Sequence, residues 1–466
     1  MQQEKPLYIW TGHALPDMGI AILTAFSEKE RPEELTEEDL EKFAQYAEKA
    51  YLTPALSSYL SVLFTINCGS TNPSSTPDKK QKYTKYILRA YKENVSEKLP
   101  LCIYCKRPSV ELFVNNQPLP ICRDVVPMLT GRGMINFFPK GIVGLPLCGF
   151  CILAIQALSV GSPKCGGKAL IIHSEDHSFL MELLKNDEWL PRLRKIIQLS
   201  ETSDSKLPAM SKPKTRIIEI IERARIEENV KSSVTIYHLS NDGRSPGIDI
   251  YYLPCFTINF VIRAKTKKFS KVWERLIQSS WDNQKEKDTN ENYTSRNYLY
   301  EDLFTLPEES GKFIRTYFLR KGLSLNLMTW NITELFLKEV LGMEKARIEA
   351  IKLLGDKIAE EIVSNNDKRL WEQIYRVDYP RKFDKIRNIL IKQSARMIKN
   401  SKEPLTNFKN FLDIFEEGEE IARTNWELAW DLVLIRIIDK LYEAKWLEEN
   451  KDLLQDKEEN TINKEE

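Results

Sequence analysis

Cys102-Ile-Tyr-Cys105, answered by Cys148-Gly-Phe-Cys151, is the stretch on which the reading of this chain turns. Two cysteines with two residues between them let both thiolates approach one tetrahedral ion from a single turn. Two such pairs make a four-sulfur set with no open coordination position. A site of that kind folds the chain around it and does no chemistry of its own. Gly149 lets backbone amides point at the second pair. Cys151 opens an apolar stretch, 152–158, whose helix dipole favours a thiolate. The expected cofactor is one structural zinc ion on Cys102, Cys105, Cys148 and Cys151. The 42 residues between the pairs would loop out from the site. Cys122 and Cys165 are possible substitutes for one ligand, while Cys68 and Cys255 sit in apolar contexts and read as core. The rival reading, a redox pair, wants a thioredoxin-like βαβ context that is not visible here.

Outward from the cysteines, residues 100–170 are dense in Gly, Pro and Cys, with short strands at 110–114 and, after Gly166-Gly167, at 169–173. A helix is expected at 179–184. Upstream, 6–10 reads as a strand and 11–17 as a turn, with Asp17 capping a helix over 18–26. A second helix starts near Thr36, with acids in its first turn, and runs to about residue 51. Residues 69–80 read as a loop. Downstream, 200–214 reads as a linker, 216–227 as a helix, 234–238 and 248–264 as strands, and 281–295 as a polar loop. From about 322 the pattern is helical. Ile351, Leu354, Ile358 and Ile362 step by three and four, as do Phe383, Ile386, Leu390 and Met397, and 426–446 reads as one long helix. The expected class is α+β: a mixed N-terminal region with the four-cysteine zinc site, then an all-helical bundle. The expected segments are 1–215, a mixed α/β region 216–321, the bundle 322–446, and an acidic tail 447–466 with eight acids against three lysines.

Hydrophobic residues make up 42% of the 466, enough for a sizeable core, and the net charge of +1 favours no class of partner by itself. The longest apolar runs, such as 151–160, are too short to span a bilayer. Eight cysteines without a visible secretion signal suit reduced thiols or metal ligands in a soluble, cytoplasmic protein. Of the four histidines, only His173-Ser-Glu-Asp-His177 forms a cluster. It reads as a surface turn rather than a metal or nuclease site. There is no P-loop, nucleophile elbow, His-Glu-x-x-His or dinucleotide fingerprint, so no enzyme is expected.

Charge is concentrated over 368–402, with eleven Lys or Arg against three acids. There Arg381, Lys385, Lys392, Arg396 and Lys399 fall within about 60° of arc on one helix face. The plain alternative is a solvated face paired with acids elsewhere, such as 416–420. The sharper reading is a row of phosphate contacts, sequence-blind and salt-sensitive. Trp371, Tyr375 and Tyr379 just upstream could stack bases or could be core.

Trp10-Thr-Gly-His13, Pro16-Asp-Met-Gly-Ile20, the two Cys pairs and, between them, Gly131-Arg-Gly-Met-Ile-Asn-Phe-Phe-Pro-Lys-Gly141 together resemble the CXXC-CXXC family of CRISPR-associated proteins, the large subunit of a type I-B Cascade complex. The resemblance covers the N-terminal half by motif and the C-terminal half by length and helicity. It implies a subunit that helps recognise the protospacer-adjacent motif in double-stranded DNA, steadies the opened strands and helps recruit the helicase-nuclease. Its partners would be the other Cascade subunits and guide RNA, with no membrane. Guide pairing would read most of the target. Arg132 and Lys140 would hold phosphates, Asn136 would meet a base edge, and Phe137 or Phe138 would wedge against a base step. The basic helix would hold the displaced strand. The resemblance also implies a possible small subunit made by internal initiation. Met343 is the candidate start, after Lys338-Glu-Val, and Met328 the alternative.

Overall fold

The computed structural model describes residues 6–95, 99–132, 134, 143–186, 198, 212–226, 229–241, 246–282, 296–319, 328–375, 383–415 and 426–450. The chain divides into two compact units, 1–258 with 281–304, and 259–280 with 305–466.

The first unit opens with helices α1 (Ala14–Phe26), α2 (Glu37–Tyr51), α3 (Pro54–Phe64) and α4 (Pro77–Ile87). Each start has a local cause. Thr36 and Asp39 form a reciprocal capping box on α2, and α3 and α4 begin with Pro, whose missing N–H costs nothing there. A hairpin, β1 (Leu112–Val114) with β2 (Gln117–Leu119), turns through Asn115 and Asn116, both at positive φ. Helix α5 (Gly149–Gly161) is buried along nearly its whole length. It crosses α1 so closely that a Cβ on Gly19 would lie 1.8 Å from the Ala154 carbonyl oxygen. Tyr51 and Tyr59 tie α2 and α3 to it by donating to the carbonyls of Gln156 and Ser162.

After α5 come β3 (Lys164–Cys165), β4 (Lys168–Ser174), α6 (His177–Asn186), α7 (Pro213–Arg223), β5 (Val234–Ser240) and β6 (Gly247–Leu253). The four strands form one antiparallel sheet in chain order, with Ile172 opposite Ile236 and Ile236 opposite Tyr251. Among the described residues nothing pairs with the outer edge of β6, and its Ile248, Ile250 and Tyr252 are all exposed.

Several expectations change. Residues 6–10 form no strand. The first helix starts at Ala14, so Asp17 lies inside its first turn and reaches back to the loop before it. Helix α4 begins inside the stretch read as a loop. The strand expected over 248–264 ends at Leu253, and Pro254 leads into helix α8 (Cys255–Ala264). Its buried Thr257, Ile258, Val261 and Ala264 recur at helical steps, which β-branched composition had masked. The pairing of β5 and β6 with β4 places 234–253 in the first unit. A cut at 215 therefore falls inside α7, and 216–321 is divided between the units.

The described elements of the second unit are all helices. Helices α9 (Ser270–Gln278), α11 (Ser310–Phe313) and α12 (Trp330–Glu339) contribute Trp273, Phe313 and Phe336 to an aromatic cluster with Phe260 and Phe318; α10 (Tyr298–Asp302) belongs to the first unit. Then follow α13 (Lys345–Asn365), α14 (Lys368–Tyr375), α15 (Phe383–Lys399), α16 (Phe408–Phe415), α17 (Trp426–Glu443) and α18 (Trp446–Glu449). The expected stripe Ile351, Leu354, Ile358 and Ile362 is buried, and α17 runs buried from Ala429 to Asp439. Charges inside this core are paired. Arg436 grips Asp356 through two bonds of 2.6 and 3.0 Å. Asp439 caps α12 by accepting from the amides of Thr329 and Trp330. The chain stays folded past the expected start of the tail, because Trp446, Leu447 and Asn450 are buried. Residues 451–466 lie outside the described residues.

Candidate metal centre

The two Cys pairs meet. The sulfurs of Cys102, Cys105, Cys148 and Cys151 all lie within 4.8 Å of one another, and they form the single such group among the described residues. A tetrahedral ion with Zn–S bonds of ~2.3 Å needs sulfur–sulfur separations of about 3.8 Å, so the set fits a metal ion. Cys122 and Cys165 stay outside the group, buried elsewhere with their thiols pushed up by burial.

Local backbone geometry builds each half. The first pair sits on a knuckle closed by Cys102 N–H donating to Arg107 O at 2.7 Å and Lys106 N–H donating to Cys102 O at 3.0 Å. Lys106 takes a positive φ of 62° to complete the turn. Ile103 N–H donates to Pro146 O and Val110 N–H to Leu147 O, which brings the chain before the second pair alongside the first. Cys148 is the N-cap of α5, and its sulfur accepts from the Cys151 amide at 3.4 Å. Gly149 is required by contact as much as by freedom, since a Cβ there would lie 2.0 Å from the Ala90 carbonyl oxygen.

Four converging thiols cannot all ionise without a cation. Hydrogen bonds from Cys105, then Cys148 and Cys151, hold Cys102 far below the ordinary thiol range. That one thiolate in turn drives Cys148 and Cys151 far above it. A divalent ion removes the conflict, because each thiolate then faces positive charge.

The motif stretches from the N-terminus pack onto this knuckle. Arg107 donates to the carbonyls of Leu7 and Pro6 at 2.5 and 2.6 Å and stacks over Phe150, 4.9 Å from the ring centre. Tyr8 donates to Phe150 O. The His13 ring meets the edge of Tyr104, inside the first Cys pair. Asp17 is fully buried and accepts from Thr11 N, Thr11 Oγ1 and Gly12 N at 2.7–2.9 Å. Burial alone would raise its carboxyl, but these bonds and the His173 imidazole 3.8 Å away hold it below the usual range. The His173–His177 stretch is therefore more than a surface turn. His173, half-buried on β4, places its imidazole 3.8 Å from the Asp17 carboxylate on α1, and His177 stacks flat on Trp10 at 4.2 Å. Arg107 and Tyr104 were missed as structural contributors, although their place beside the Cys pair was the available signal.

Of the expected nucleic-acid contacts, Asn136, Lys140 and Arg381 lie outside the described residues, as do Phe137, Phe138 and Tyr379. Arg132 is described, but its guanidinium is held by the buried Asp124 carboxylate, so a phosphate would have to compete for it. On α15, Lys385, Lys392, Arg396 and Lys399 are exposed, while Ile386, Leu390 and Met397 face the core. Arg396 bonds Asp367 at 2.9 Å. The three lysines have no acidic partner among the described residues. Trp371 and Tyr375 are buried and stacked on each other, which removes them as base platforms. No described helix is long and apolar enough to cross a membrane. No family model, curated protein or solved structure matches the chain.

Proposed function

We propose that this chain is a non-catalytic, zinc-bearing nucleic-acid-binding subunit, the large subunit of a type I-B Cascade complex. One observation carries the reading. Of the stretches on which the family resemblance rests, Trp10–His13, Pro16–Ile20 and both Cys pairs fold together around four sulfurs, while most of 131–141 lies outside the described residues. Cys102, Cys105, Cys148 and Cys151 would hold the ion, which supplies charge neutralisation and a fixed fold and leaves no position open for substrate. The convergence of all four sulfurs also weighs against a thiol oxidoreductase, which needs one exposed pair free to open and close.

The reading assigns the mixed N-terminal part to motif recognition and the helical C-terminal part, with Lys385, Lys392 and Lys399, to the displaced strand. The test is to reconstitute the complex with and without this chain and to measure binding to duplexes that differ in the flanking motif. Loss of motif preference without the chain is expected. Preference that survives its omission overturns the assignment and leaves a standalone zinc-containing nucleic-acid-binding protein.

For the internally started small subunit, the fold favours Met328 over Met343. Met343 lies in the turn after α12, so a product starting there lacks Thr329 and Trp330, the donors that satisfy the buried Asp439. A product starting at Met328 keeps them. Intact-mass analysis of the purified complex distinguishes the two starts, and a mass matching neither removes the proposal.

A further inference from the structure

Helix α4 turns a basic face outward. Lys79, Lys82 and Tyr86, at i, i+3 and i+7, fall within about 60° of arc, and Lys85 lies about 60° further round. All three lysines are exposed. None has an acidic partner among the described residues, and Asp78, the one acid in this helix, bonds none of them. The next two cations along the chain are treated differently. Arg89 is held by Glu41 and Glu48, and Lys92 by Glu41. The fold thus pairs the cations that fasten α2 to the segment after α4, and leaves the row on α4 open.

An aromatic ring stands at one end of that row. Tyr86 is half-buried, and its Oη accepts from the Phe113 amide at 2.9 Å, which ties the β1–β2 hairpin to α4. Within the hairpin Leu112 and Leu119 are buried, while Phe113 is 47% exposed. A single exposed apolar residue needs no explanation by itself. This one closes a line of unpaired lysines. From Lys79 to Tyr86 the helix rises about 10 Å. That is a run of about three nucleotides by the rise of one strand.

We propose that α4 and Phe113 bind an unpaired strand of DNA, with Lys79, Lys82 and Lys85 on its phosphates and Phe113 stacked on a base. A positive track beside an aromatic platform is how proteins hold single strands. A duplex offers the phosphates but keeps its base faces covered, so it leaves Phe113 without a role. The identity of the strand as opened target DNA rests on the proposed function. The site itself belongs to the unit that holds the cysteine knuckle and does not involve α15.

The test uses the full, zinc-loaded chain and a labelled oligo-dT. Lys79→Gln with Lys82→Gln should lower the salt slope of binding by about 1.4, at about 0.7 per phosphate contact. Phe113→Ala should weaken oligo-dT binding at least about fivefold, the lower end for a base–aromatic stack, with the slope unchanged. Phe113→Tyr should restore the affinity, and Phe113→Ala should leave binding of a dA·dT duplex as it was. A control, Lys267→Gln with Lys271→Gln, removes equal charge from other exposed positions and should not move the slope. All variants should melt with wild type, because the substituted side chains are exposed. No binding of oligo-dT by wild type, an unchanged slope in the α4 variant, an equal fall in the control, or an equal loss of duplex binding in Phe113→Ala overturns the site. Oligo-rU bound more tightly than oligo-dT overturns the assignment to DNA, because it shows a strand read through its 2′-hydroxyls. These failures leave the proposed function standing, since motif preference in the reconstituted complex decides it. Preference that survives without the chain removes the subunit assignment, while the slope and the Phe113 effect still decide the site.

Discussion

The cysteine knuckle and the basic helix use charge in opposite ways. Around the knuckle nearly every polar group is engaged. The sulfurs face one another, Asp17 takes three donors, and Arg107 holds two carbonyls while stacking on Phe150. On the outer side of α15, three lysines and two isoleucines face outward with no described partner. Buried groups must be satisfied within the fold, because an unpaired one costs several kcal/mol. Exposed unpaired groups cost little and are free to meet something else. The first region therefore secures a fold, and the second offers a surface.

This contrast can be broken at both ends. The largest effect is expected from Cys148→Ser, or from stripping the metal with a chelator. Amides of 102–110 and 149–161 should lose hydrogen-exchange protection, while those of α13 and α17 keep theirs; unchanged protection at the knuckle would refute its structural role. Next is Gly19→Ala, where the new methyl meets backbone rather than a movable side chain. It should cost at least about 3 kcal/mol in denaturant unfolding.

A smaller effect follows from pH. Arg89, and then Lys92, hold the Glu41 carboxylate down to about 2 beside the Ala90 segment on which Gly149 packs. Its folded pKa lies below its unfolded one. The stability it contributes is therefore present above about pH 4.5 and is lost as pH falls toward 2. Glu41→Gln should abolish this part of the acid sensitivity, so the stability difference between wild type and variant should shrink across that window. The smallest stability effect is expected from Lys392→Glu with Lys399→Glu, within about 0.5 kcal/mol. If α15 binds single strands, the same pair should lower the salt slope of binding by about 0.7 per lysine.

The same contrast explains what could be read in advance. Ligand spacing is a local, stereochemically strict signal, so the four cysteines were identifiable without knowing what lay between them. Helical periodicity placed Ile351 through Ile362 and the inward side of α15 correctly. What failed depended on distant neighbours. Nothing near Arg132 in the sequence marks Asp124 as its partner, and nothing near Arg396 marks Asp367. The stretch 248–264 carries one continuous run of strand-forming residues, and the switch to helix after Pro254 rests on which of them tertiary packing buries. His173 gave no sign of its role because Asp17 lies on another element.

The open margin of the four-stranded sheet has a practical consequence. Ile248, Ile250 and Tyr252 lie on one side of a strand whose outer backbone groups lack partners among the described residues, and its single charge, Asp249, is drawn to the other side by Lys168 and His238. No charge on that strand repels a second identical one. Concentrated stocks of the isolated polypeptide should therefore clump through this margin, and Ile250→Lys is the simplest way to keep them clear.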